Sequence, residues 1–286
     1  MSIIRPLLGR LTQGCIFTCA KAENYPHCNV HGLVITARCD VEQDKYQILN
    51  YLPVVSLDDW LTVDGFDILY NRLSAESAGA MQSALREAGI SPSIQFSLSP
   101  HEISANFFTE PFDNKAISAP AKKFNANLYR QELLSDIFSS RKTRKHELYA
   151  ISEGSSTALI RELVLQRATG YCFIPSIYES GDESGYVILL REVKHLSRSA
   201  AAAVANGLEI NVGASLANTY GLSFDHEAFA MPIGEISSPM VEHIMQMFSN
   251  LFGRIGVSDL PKTYVDEISK RRPEPWRKLS NISLLS

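Results

Sequence analysis

The chain has 286 residues, 45% of them hydrophobic and 20% charged, with a formal net charge of −4. That length and composition make one large or two modest domains with a real core, and they exclude a disordered chain, a collagen-like repeat and a generally basic nucleic-acid binder. Five Cys are too few for a disulfide-dense scaffold.

No apolar stretch approaches the about 18–20 residues that a membrane span needs, so no membrane association is expected. The opening MSIIRPLLGRLTQGC carries Arg5 and Arg10 and has no sustained apolar region. It reads as mature chain, which predicts a cytoplasmic location where thiols stay reduced.

In chain order, residues 1–62 have β texture. Gly14–Cys19 is a short strand candidate and Gly32–Ala37 a second, β-branched and bounded by turn residues. Tyr46–Leu57 is a third, in which Pro53 predicts an edge position or a break. From Phe66 through Leu69, Tyr70, Leu73, Met81 and Leu85, spacings of three and four predict an amphipathic helix or a broken pair, stopped at Gly89. Ser91–Ser99 alternates like a short strand, and Pro100 opens a helix. The two-proline stretch 111–126 reads as a loop, and Leu128–Phe138 as a helix with Arg141–Lys145 as its basic C-terminal continuation. Ser155 and Ser156 offer a cap for a helix through Leu159, Ile160, Leu163 and Val164. Tyr171–Tyr178 and Gly185–Val193 flank an acidic turn and predict a hairpin. An Ala-rich helix follows around Leu196–Ala205. Another over Pro239–Phe252 is so continuously apolar that burial over most of its surface is expected. Lys270–Lys278 reads as a basic surface tail.

Strands, helices, strands, helices, without regular βαβ alternation, predict an α+β fold. Its expected parts are a small β-barrel-like module over 1–62, a mainly helical region over 63–170, and a hairpin-plus-helices region with a basic tail over 171–286.

One chemical anomaly stands near the N-terminus. Four of the five Cys, at 15, 19, 28 and 39, share a short window with His27 and His31. Structural zinc takes four thiolate or imidazole ligands, and pairs two to four residues apart are its usual knuckles. Cys15, Cys19, Cys28 and His31 make the cleanest tetrad, with Cys39 and His27 in reserve. A metal is also one way to order the polar loop AKAENYPHCNVH, which has no hydrophobic face of its own. Two other readings stay open. Cys15 and Cys19, four apart on a strand, share a face and suit a core. Cys39, where an apolar strand is expected to end, has the placement of a nucleophile, with Arg38 favouring and Asp40 opposing a thiolate.

Gln13–Phe17, Gly32–Thr36 and Leu52–Ser56 resemble the first strands of the SH3-like barrel in the MazF/PemK toxin group. The resemblance implies a barrel fold and RNA cleavage, with Thr36 and Arg38 as the matching catalytic positions. It departs where that group carries a basic, aromatic RNA-binding loop and this chain carries the Cys/His loop. Residues 237–257 resemble segments of bacterial proteins found beside defence genes.

Phosphate-cradling glycine loops, H-E-x-x-H and G-x-S-x-G are all missing from the sequence. Arg141, Lys142, Arg144 and Lys145 are the candidate phosphate contacts. The leading expectation is a non-enzymatic interaction protein with a protein partner, its N-terminal module clipped by zinc. The alternatives are an RNA-acting nuclease and a thiol enzyme built on Cys39.

Overall fold

The three apolar strand patterns near the N-terminus become strands, and the first and third find partners far along the chain. The computed structural model describes residues 2–7, 9–43, 45–110, 115–181, 185–211 and 220–253. The first elements are β1 (Ile3–Ile4), β2 (Cys15–Phe17), β3 (His31–Val34), α1 (Arg38–Glu42), β4 (Ile48–Ser56) and α2 (Leu57–Thr62). Helices follow: α3 (Asp64–Glu87), a 3-10 turn (Pro92–Phe96), α4 (Pro100–Phe107), α5 (Lys115–Ser139), α6 (Arg141–Ile151) and α7 (Glu153–Val164). The chain then forms β5 (Tyr171–Ile174), β6 (Tyr186–Leu189), β7 (Lys194–Ser197) and α8 (Arg198–Ala205). It continues with β8 (Leu208–Glu209), β9 (Phe229–Ala230), β10 (Pro232–Ile236) and α9 (Met240–Phe252). Met1–Phe248 form one compact unit; of the second, Ser249–Ser286, residues 249–253 are described.

The fold is α+β: a curled antiparallel sheet, a half-barrel, with helices after it. The strand order is β1-β10-β2-β3-β4-β6-β5, and β7 also pairs with β4. Strands from the beginning, middle and end of the sequence therefore share one sheet. Among the described residues no helix is long and apolar enough to cross a membrane.

Register fixes the two faces. Phe17 pairs with Gly32, Val34 with Tyr51, and Val55 with Val187. With Cys15, these residues face Trp60, Phe66, Leu69 and Leu73 of α2 and α3 in the main core. Ile16 pairs with Leu33, Leu33 with Leu52, and Val54 with Ile188, which puts this second set on the opposite face. Gly32 is required by closeness, because a Cβ there would overlap the Phe17 ring.

Pro53 lies neither at an edge nor at a break, because β4 is central. Ile35 N donates to Asn50 O across the β3–β4 pair, at 2.9 Å. Alternation then turns the Pro53 nitrogen away from β3, toward the side where β6 pairs only from Val54 onward and β7 only up to Tyr51. The proline sits at the seam between two partner strands and costs no ladder bond there.

The helices α3 and α5 run antiparallel as an arm. Ser77 Oγ donates to Asn127 O at 2.8 Å, and Phe66 and Tyr70 pack on Phe138. The 24 residues of α3 span about 36 Å. The outer part has a small core of its own, in which Met81, Leu85, Ile103, Phe108, Ala121 and Phe124 meet. The Ser99–Glu102 capping box starts α4, as Pro100 suggested.

Several local expectations are corrected. Ser91–Ser99 holds a 3-10 turn, not a strand: Pro92 fixes its entry and Ser91 Oγ accepts from Ser93 N. Residues 115–126 are helical despite Pro120, because Ala121 and Phe124 bury in the arm; 111–114 lie outside the described residues. The basic cluster opens α6 instead of closing the previous helix, with Arg144 off helical angles (φ −114°, ψ 15°). Ser156 lies inside α7 and donates to Tyr149 O and Ser152 O. In α9 only Val241 and Ile244 are buried, a stripe and not most of the surface. Cys39 lies in α1 and does not end a strand. Residues 182–184 of the acidic turn and the tail Lys270–Lys278 lie outside the described residues.

Candidate functional site

The Cys/His stretch runs from β2 through a polar loop into β3. Cys15 and Phe17 share the helix-facing side of the sheet, whereas His31, two residues before Leu33 and paired with Val54, belongs to the other side. Cys15 and His31 therefore point away from each other across the sheet. The tetrad Cys15, Cys19, Cys28 and His31 is not brought together, and among the described residues no group of three or more His, Cys, Asp or Glu is placed to hold a metal ion. Burial pushes the Cys15, Cys19 and Cys28 thiols up to about 12, with Glu235, Glu227 and Asp59 respectively adding to the rise. Cys15 and Cys19 are buried core groups, and Cys28 packs half-buried against the same core.

The loop is ordered by the protein around it. Tyr25 is 2% exposed, and its hydroxyl donates to Asp64 Oδ2 at 2.9 Å, in the first turn of α3. The Tyr171 hydroxyl also faces Asp64. Ala20 N donates to Val30 O and Cys28 N to Tyr25 O within the loop. Lys21 N donates to the Tyr51 hydroxyl at 3.3 Å, and Asn29 Nδ2 to Glu227 Oε1 at 2.9 Å. Ala20, Ala22, Tyr25 and Val30 join the main core, so the loop does have a hydrophobic face. Burial raises the Asp64 pKa from its ordinary 3.8, and the two tyrosine hydrogen bonds pull it back in part.

The resemblance-implied residues serve local structure. Thr36 Oγ1 accepts from Asn50 N at 2.7 Å. Arg38 Nη2 lies 3.6 Å from Glu235 Oε1, a buried carboxylate that also accepts from Thr12 Oγ1 at 3.3 Å. Cys39 is exposed, and its thiol neighbour is Asp40 at 3.8 Å.

Two members of the basic cluster are ion-paired. Arg141 pairs with Asp67 at 3.1 Å, donates to Thr62 O and Val63 O, and covers the Phe66 ring at 4.9 Å. Arg144 pairs with Asp136 and Glu147. Lys145 Nζ donates to Thr62 Oγ1 at 3.0 Å. The Lys142 side chain lies outside the described residues.

One feature escaped the sequence reading. Phe96, on the 3-10 turn at the outer end of the arm, is 93% exposed. Phe107, at the end of α4, is also exposed. The only signal was an aromatic residue among serines, and the strand reading of 91–99 hid it. Comparison with family models, curated proteins and solved structures finds no match.

Proposed function

We propose that the chain is a non-enzymatic interaction protein that docks a protein partner through the outer end of its helical arm. The observation that carries this reading is Phe96, an almost fully exposed aromatic ring on a capped turn. Burying such a side chain is worth about 1.5–3 kcal/mol, and aromatic anchors dominate protein interfaces. Residues 88–110 contain no Lys or Arg, in keeping with the charge-poor centres of interfaces. The small core beneath gives the turn a rigid base.

The enzymatic alternatives find less support. Arg141 and Arg144 face carboxylates of their own chain, which leaves less positive field for RNA phosphates. Thr36 and Arg38 hold backbone and Glu235, and Cys39 has Asp40 as its hydrogen-bond neighbour. The interaction reading does not require zinc. A cytoplasmic setting beside bacterial defence systems belongs to it on sequence grounds alone.

The test is a photoreactive benzoyl-phenylalanine at position 96 in cells of the source organism, with the same group at exposed Thr157 of α7 as control. The reading expects a discrete adduct from position 96 whose protein also binds the purified chain. No adduct, or the same adducts from both positions, would overturn it.

A further inference from the structure

The loop singled out for its Cys and His residues roofs a cavity of about 260 Å³. Its lining mixes apolar surface from Tyr25 and Val30 with charged groups from three separate segments. Two of those charges are already satisfied: Lys194 Nζ pairs with Glu23 at 2.8 Å and with Glu192 at 3.3 Å. Two others are not. Lys21 and Asp225 line the same cavity, yet among the described residues neither has an ion pair, with the other or with any other group. Asp225 accepts a hydroxyl bond from Ser223 Oγ at 2.6 Å. The segment carrying it is pinned to the loop, because Ser223 N donates to Cys19 O at 2.9 Å.

We infer that this cavity binds a small zwitterion of the free α-amino-acid type, its carboxylate on Lys21 and its ammonium on Asp225. Opposite charges that line one concave site without pairing with each other suit a ligand carrying the complementary pair. The Tyr25 ring and Val30 offer an apolar wall to a short side chain. The Tyr25 hydroxyl is turned away to Asp64, and the Cys28 thiol is held neutral, so neither competes for the ligand's charges. This inference is independent of the docking role of Phe96.

The experiment is a thermal-shift titration of the full chain with the twenty L-amino acids, each up to about 10 mM. Propionate and ethylamine serve as half-charged analogues, and Lys21→Met and Asp225→Asn as variants. The Lys21 backbone bond to Tyr51 survives the first substitution, so both variants retain the loop's anchors. The inference expects a saturable rise in Tm with one or more short amino acids. That rise is at least about tenfold weaker in midpoint for the half-charged analogues and is lost in each variant. No saturable rise with any amino acid, or a rise kept in both variants, would overturn it.

Discussion

Replacing Tyr25 by Phe removes one hydroxyl and leaves the ring where it packs. The lost bond is to the carboxylate of Asp64, 2.9 Å away, from a residue 2% exposed. A hydrogen bond to a charged group is worth about 1.5–3 kcal/mol. The Tyr171 hydroxyl faces the same carboxylate, so the loss is taken in the middle of that range, about 2 kcal/mol. For a chain of 286 residues, that is a fall in Tm of about 3–4 °C. Urea denaturation followed by fluorescence reads the total, and amide hydrogen exchange over 20–30 locates it. Exchange in that loop is expected to quicken more than exchange in α5. A loss below about 0.5 kcal/mol, with a loop that instead loosens on adding a metal chelator, would refute the reasoning that Tyr25 and Asp64 hold the loop.

Asp64→Asn tests the same contact through pH. Burial raises the Asp64 pKa from 3.8, so the folded chain keeps that proton to higher pH than the unfolded chain does. Ionised Asp64 therefore costs stability, a cost that grows as pH rises above the unfolded value and is complete above the folded one. The stability of Asp64→Asn relative to the parent is expected to improve as pH rises above the ordinary carboxylate value of 3.8, measured by denaturation at each pH; parallel curves would contradict the burial effect. Arg141→Ala is expected to lose about 1–2 kcal/mol, because its guanidinium holds the Thr62 and Val63 carbonyls and covers Phe66. A variant of parental stability that had lost RNA binding in a filter assay would instead make Arg141 a phosphate contact. Gly32→Ala is expected to cost about 1–3 kcal/mol by forcing the buried Phe17 ring aside, and an unchanged Tm would mean that the ring has room to move.

Local periodicity carried much of the fold. The 3- and 4-spaced apolar residues of α3, the Pro100 helix start and the hairpin of Tyr171–Tyr178 with Gly185–Val193 are all present. What failed depended on distant partners. Pro53 signals an edge until β6 and β7 are seen to meet at its open side. Pro120 signals a loop until the arm's core draws Ala121 and Phe124 into a helix. The Cys/His spacing was legible, but the metal tetrad depended on which face each side chain takes. Strand register, set by pairing with β4 and β10, sends Cys15 and His31 to opposite sides. The ordering partner of the loop, Asp64, lies 39 residues from Tyr25, beyond the reach of any local pattern. Charge runs misled for a similar reason: Arg141 and Arg144 look free in sequence and meet Asp67, Asp136 and Glu147 in space.

The outer end of the arm is the surface proposed to meet a partner. The direct measurement is the affinity of the protein cross-linked at position 96 for the purified parent chain and for Phe96→Ser, by isothermal titration. Removing an anchor ring from an interface centre costs at least about 2 kcal/mol, or about thirtyfold in Kd. Because Phe96 is 93% exposed in the free chain, its removal is expected to leave Tm unchanged. A Kd weakened by that factor at constant Tm is the predicted result; equal affinity for parent and variant would contradict the docking role.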